Sequence, residues 1–318
     1  MTAMTPRLEA MLPGLFGYGV ATADDGFLLR CRDEPRAYDF RIVDGDDLRT
    51  KTVWPGDMPY CMLELSDGRL VCSFVSSDVP STRLYEKPAA GGGAGTGGAA
   101  VRVFRGSERI HVRALAEVPG GRVAGVGSPG AHVWDVASGE CLAVLEGHTR
   151  LTKCVAVVPS LGQLVTVSMD CTMRWWDLAT WECVGEVRTH LEVEAAQALP
   201  GERLVIGDSG VYMVLWDLAA RVELRSWHTH ERWVRSLALL GGDRLVSVTG
   251  AGFVRVWELS TFTCVALLRC SESIGCVTAT RQGVLVVAPR QSSGFVYSFG
   301  WYRRAAAVRA WVVARCGE

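Results

Sequence analysis

The sequence has almost no charge of either sign in excess. Its 33 Lys and Arg stand against 34 Asp and Glu, a formal net charge of −1. Such a balance gives no global pull toward nucleic acid or an anionic lipid surface. Long apolar runs are missing too. None approaches the ~20 residues that a membrane helix needs. The first residues include Pro6, Arg7, Glu9 and Pro13 and lack the apolar stretch of a secretory signal. There is no Cys-x-x-Cys pair, and the six His do not gather at ligand spacing, so no metal site is expected. The glycine tract at 88–100 has no Lys-Ser/Thr and joins two expected strands. It reads as a flexible linker loop, and no cofactor is implied. The 11 Cys are an odd number. Cys141, Cys183 and Cys264 recur at one place in three expected fourth strands, which predicts small buried apolar fillers and no bridges. A reducing compartment follows: the cytoplasm, with the nucleus as the alternative.

What is present is an apolar fraction of 49% and a strong repetition. The reference stretch runs from Gly147 to Val184. Gly147-His148 opens it, and a polar turn leads to Cys-Val-Ala-Val-Val. Gln-Leu-Val-Thr-Val-Ser-Met-Asp and Met-Arg-Trp-Trp-Asp-Leu follow, with Glu-Cys-Val beyond. Short runs rich in Val and Thr, closed by Gly, Pro, Ser and Asp, predict antiparallel strands. Trp134, Trp176, Trp216 and Trp257 end equivalent third strands, 42, 40 and 41 residues apart. Phe299 extends the ladder downstream, and Tyr85 and Val43 extend it upstream. The turn positions Gly14, Gly56, Gly106, Gly147, Thr189, Thr229 and Cys270 repeat in register with it.

From Gly147-His148 to Trp176-Asp177 this unit resembles the WD-repeat β-propeller family, in which one such unit forms one blade. Seven units predict an all-β chain: a single seven-bladed β-propeller of four-stranded antiparallel sheets over residues 1–318. The expected blades are 14–55, 56–105, 106–146, 147–188, 189–228, 229–269 and 270–313. Two segments compete for the outer position of the last blade. One is the Leu8-Glu-Ala-Met-Leu strand; the other is the run at 305–313.

His148, Ser168, Asp170 and Trp176 have the composition of a nucleophilic triad plus an indole. The family resemblance implies a structural network instead. In it the Trp176 N–H donates to the Ser168 hydroxyl, the hydroxyl to His148, and the imidazole to Asp170. Blade five has Asp208 and Gly210 at the serine and aspartate positions, and blade six has Thr249 and Ala251.

Three residues past the turn marks stand Arg109, Arg150 and Arg232. Six past them stand Val112, Lys153 and Arg235, with Trp233 alongside. Arg and Trp are enriched where proteins bind proteins. The rim of Arg109, Arg150, Lys153, Arg232, Trp233 and Arg235 is therefore either a set of ordinary solvated loop charges or a candidate partner-binding surface, for an acidic or phosphorylated peptide segment. Nucleic acid is disfavoured, and no membrane or small-molecule substrate is expected. The function expected is a non-catalytic interaction scaffold in a larger complex. The alternatives are a ubiquitin-ligase substrate receptor or, further off, an enzyme using the propeller channel. The inner strands, such as Val155-Ala-Val-Val and Leu237-Ala-Leu-Leu, offer that last reading no acid or base.

Overall fold

The computed structural model describes the side chains of residues 59–74, 80–86, 100–128, 130–229, 233–240 and 243–269, with Val277 and Thr278. Elsewhere it describes the backbone of the strands. Short β-branched segments separated by tight turns pair with their chain neighbours, and the described strands fall into seven sheets. Sheet one holds Leu15–Ala21, Phe27–Glu34, Ala37–Val43 and Thr50–Pro55. Sheet two holds Pro59–Glu64, Leu70–Phe74, Ser81–Tyr85 and Arg102–Val103. Sheet three holds His111–Val118, Arg122–Ser128, Ala131–Asp135 and Cys141–Leu145. Sheet four holds Thr152–Val158, Gln163–Ser168, Thr172–Asp177 and Cys183–Arg188. Sheet five holds Val193–Leu199, Arg203–Asp208, Tyr212–Asp217 and Val222–His228. Sheet six holds Val234–Leu240, Arg244–Thr249, Phe253–Glu258 and Thr263–Arg269. Sheet seven holds Ile274–Ala279, Leu285–Pro289 and Gly294–Gly300. Both competitors for its outer position, Pro6–Leu12 and Arg309–Val313, run antiparallel to Gly294–Gly300.

The chain divides into two compact units. One, Asp57–Pro88 with Gly98–His228, carries sheets two to five. The other, Met1–Gly56 with Ala89–Gly97 and Thr229–Glu318, carries sheets one, six and seven. Within the first, the opening strands of sheets two, three, four and five pack each on the next. Within the second, the opening strand of sheet six packs on that of seven, and seven on one.

Sheets three and four are each buried between neighbours, so both faces of their strands are apolar. In sheet four, Val165, Val167, Met173 and Trp175 point one way and join Leu204, Ile206 and Trp216 of sheet five. The residues between them, Leu164 and Trp176, point the other way and join Ala124, Val126 and Val133 of sheet three. Trp134 packs in turn on Val71 and Leu84 of sheet two. A buried tryptophan removes roughly 150–250 Å² from water, so these indoles dominate the contact between sheets. Polar clasps add direction at the turns. Ser66 donates from its N and its Oγ to the Glu117 carboxylate, at 2.8 and 2.6 Å. Ser160 does the same to Glu202, from sheet four to sheet five.

Two expectations need correction. The three recurrent cysteines are not buried: Cys183 and Cys264 are exposed and Cys141 is half-buried. They sit opposite Trp176, Trp257 and Trp134, where the ladder shifts register, on the last strand of each sheet. That strand has no further neighbour within its own sheet, so its side chains stay partly wet. The glycine tract is more than a linker. Gly95–Thr96 pairs in parallel with Thr50–Pro55 and adds a fifth strand to sheet one. Backbone hydrogen bonding needs no apolar pattern, which is why composition carries no sign of it.

The register of sheet three depends on Gly127, where a Cβ would fall on the His111 carbonyl oxygen. Gly127→Ala is expected to cost about 1–3 kcal/mol or to prevent folding. Gly121→Asn (φ 69°, nothing near its Cβ) is expected to be close to neutral by thermal denaturation.

Candidate functional site

His148 follows the turn residue Gly147 and is carried over the end of sheet four. There its side chain is 1% exposed and that of Asp170 is 7% exposed. Strand alternation puts Thr172, Arg174 and Trp176 on one face of the third strand, and Leu164, Thr166 and Ser168 on the matching face of the second. The Trp176 Nε1–H donates to Thr166 Oγ1 at 2.8 Å. Thr166 Oγ1 lies 2.8 Å from His148 Nε2, and His148 Nδ1 lies 2.9 Å from Asp170 Oδ2. One proton arrangement satisfies all four: Thr166 donates to Nε2, and Nδ1–H donates to the carboxylate. The Asp170 carboxylate also accepts from the Thr149 N–H (2.9 Å), the Thr172 N–H (2.9 Å) and the Thr172 hydroxyl (2.6 Å).

The hydroxyl between indole and imidazole is thus that of Thr166, not of Ser168. Leu164 pairs directly with Trp176, and the indole reaches two residues along the same face, to Thr166. Ser168, two further on, donates to the backbone carbonyls of Arg150 and Leu151 at 3.1 Å and accepts from the Asp170 N–H at 3.2 Å. It closes the turn and does not touch the indole.

Burial lowers the pKa of His148 more than the Asp170 carboxylate raises it, so the imidazole is neutral. Burial works to raise Asp170, but the hydrogen bonds from Thr172, Thr149 and His148 win and hold it at about 2. The arrangement has an ionised acid and a neutral imidazole, and Thr166 is fully buried with its proton committed. It cannot present a nucleophile to solvent.

The rim residues have varied surroundings. Arg109 is exposed, 3.9 Å from Glu108. Arg150 pairs with Glu192 at 2.8 Å and caps the Met169 carbonyl at 2.9 Å. Lys153 pairs with Glu194 at 3.1 Å. Arg232 lies outside the described residues. Trp233 is 51% exposed, in the left-handed region at φ 62°. Arg235 lies over its ring, 5.6 Å from the centroid. Arg150 and Lys153 are therefore compensated by acids of sheet five, and the expected electropositive patch loses two of its cations.

A feature missed in the sequence connects these positions. The opening strand of every sheet from two to six shifts register at one residue, a β-bulge. The bulged residues are Tyr60, Arg113, Lys153, Glu194 and Arg235. A bulge re-aims its side chain out of the pleat. In sheet three the residue is Arg113, one beyond Val112, because the 3₁₀ turn Ser107–Arg109 lengthens the approach. A constant offset from the turn mark cannot register that extra residue.

Comparison with known proteins bears on this geometry. The WD domain, G-beta repeat family (WD40) matches residues 139–177. The chain is 27% identical over 138 residues to the DENN domain and WD repeat-containing protein SCD1 of Arabidopsis thaliana, covering 43% of this chain and 12% of that one. It is 27% identical over 164 residues to the nuclear distribution protein PAC1 of Arthroderma otae, covering 43% and 35%. The matches thus span an eighth to about a third of these relatives' own length. The solved WD40 beta propeller domain of Doa1 superposes with a TM-score of 0.74 at 18% identity, over 95% of this chain and 98% of that one. The fold is that of a WD40 β-propeller, and residues 139–177 match the WD-repeat family. In WD-repeat terms, sheet four is the complete repeat and its neighbours are partial ones. Trp257 finds Ser247 Oγ at 2.8 Å, the counterpart of Thr166. Trp216 faces Ile206 at that place, and its N–H has no partner among the described residues. Trp134 turns to the Arg105 carbonyl, at 2.8 Å.

Two outcomes are expected. Thr166→Val leaves two buried groups unpaired and should cost about 1–3 kcal/mol by chemical denaturation. Both His148 and Asp170 have folded-state pKa values below their ordinary ones, so acid favours the unfolded chain. His148 contributes fully above 6.5 and loses its contribution as pH falls below that value toward its lower folded one; Asp170 contributes fully above 3.8 and loses its share as pH falls toward about 2. The melting temperature of the wild type should drop between neutral and mildly acid pH, and His148→Asn should flatten that drop. An unchanged slope would contradict the assignment.

Proposed function

We propose that this WD-repeat propeller is a non-catalytic protein-binding module that works within a larger assembly. The observation that carries the reading is the row of bulges. A constant β frame presents Tyr60, Arg113, Lys153, Glu194 and Arg235, with Trp233 beside the last. The frame repeats while the presented chemistry varies, which suits recognition. Arg, Tyr and Trp are the residue types that dominate binding hot spots. Against an enzyme stands the one constellation with triad composition, which is closed on itself. Among the described residues no group of three or more His, Cys, Asp or Glu could hold a metal ion. The relatives' names, a nuclear distribution protein and a DENN domain and WD repeat-containing protein, support an assembly role only in general terms. A reducing compartment belongs to the same reading, and the seven described cysteines, all free, support it.

The test is cross-linking of the full chain in its native source, followed by mass spectrometry. A partner present in fixed proportion should be recovered, cross-linked within 108–113, 150–153 or 190–194. A chain that stays monomeric and turns over a substrate would overturn the proposal.

A further inference from the structure

Three of the five bulged residues carry a positive charge, and their surroundings differ in a way that decides what they can bind. Lys153 is neutralised by Glu194 on the next sheet. Arg113 lies over the Tyr60 ring of the preceding sheet, 4.1 Å from the centroid, and makes no hydrogen bond or ion pair among the described residues. Its Nε is buried without an acceptor. Arg235, at the same bulge in sheet six, repeats the arrangement. It lies over Trp233, its Nε is buried without an acceptor, and no acid pairs with it among the described residues. The recurrence in both compact units marks a built feature. An aromatic face fixes the plane of the guanidinium at little entropic cost and leaves its terminal N–H groups as the open fork.

Resting on the protein-binding reading above, we infer that Arg113 on Tyr60 and Arg235 on Trp233 are each a receptor for one carboxylate, supplied by Asp or Glu side chains of a partner polypeptide. A guanidinium fork matches a carboxylate with two parallel hydrogen bonds. The other cations of the expected rim that are described in the same unit as Arg113 already have acids: Glu108 beside Arg109, Glu192 beside Arg150, and Glu194 beside Lys153. With those cations compensated, each uncompensated guanidinium offers one positive charge, which balances a carboxylate better than a phosphate carrying nearly two. An acid-bearing segment settles with one carboxylate on either arginine.

The experiment selects short random peptides displayed on phage against the intact chain, then measures their affinities in solution. Selected peptides should share an Asp or Glu at a fixed position. Replacing it by Asn or Gln should weaken binding about tenfold or more, and so should Arg113→Gln or Arg235→Gln at unchanged melting temperature. Arg113→Lys should recover only part, because an ammonium has no fork. Phosphoserine in place of the acid should bind no more tightly. Peptides that bind but are indifferent to both arginine variants would overturn the carboxylate receptors and leave the protein-binding reading standing. Tighter binding of phosphoserine, or peptides with no shared acid, would overturn the choice of carboxylate. Failure to select any peptide would count against both readings. Arg113 and Arg235 lie in different compact units, so a folding defect in one variant leaves the other as the test.

Discussion

Trp176 is 2% exposed, and its N–H must be met from inside the protein. That single requirement organises the complete repeat. A large indole is what fills the gap between sheets three and four, and its one polar atom would cost more than a hydrogen bond returns if it were left unpaired. Thr166 supplies the acceptor, and its own proton then needs a home, which His148 provides. The imidazole in turn needs an acceptor, which is Asp170. Asp170 is a charge in a nearly closed site, tolerable because two backbone N–H groups and a threonine hydroxyl converge on it. The turn that begins the blade is thereby tied to its second and third strands.

The neighbouring sheets show what happens when a member is missing. Sheet five has Ile206 at the threonine place, and His190 swings out to a side-chain exposure of 78%, 3.3 Å from Glu223. Its third strand is held instead by packing and by Asp208, whose carboxylate accepts the Tyr212 N–H at 2.9 Å. Burial raises the pKa of that acid, and no cation or histidine among the described residues answers it. Apolar contact between sheets is thus enough to keep a blade, and the polar chain adds precision where it is complete. The same division of labour holds along the opening strands. The strands fix the bulges, and the bulged side chains are left to vary.

Much of this was legible in the amino-acid order. The strand pattern, the tryptophan ladder and the family follow from period and turn residues, because alternate burial writes itself directly into composition. The identity of the bridging hydroxyl does not. Thr166 and Ser168 share a face, and only the reach of the indole across the ladder selects between them. The exposure of Cys183 and Cys264 was hidden because a small sulfur side chain serves equally in a core or on an outer strand. The ion pairs of Arg150 and Lys153 were hidden because their acids lie about forty residues away on the next sheet. Arg113 was missed because the spacing from turn mark to bulge varies from sheet to sheet, which moves the bulge without disturbing the ladder.

The central claim is that the polar chain from indole to carboxylate is part of the framework and passes through Thr166. Hydrogen exchange at the Trp176 indole N–H addresses it most directly. In the wild type and in Ser168→Ala that proton should exchange only through global unfolding. In Thr166→Val it should exchange through local opening, many times faster than the surrounding strand amides. Equal protection in Thr166→Val, or lost protection confined to Ser168→Ala, would contradict the account.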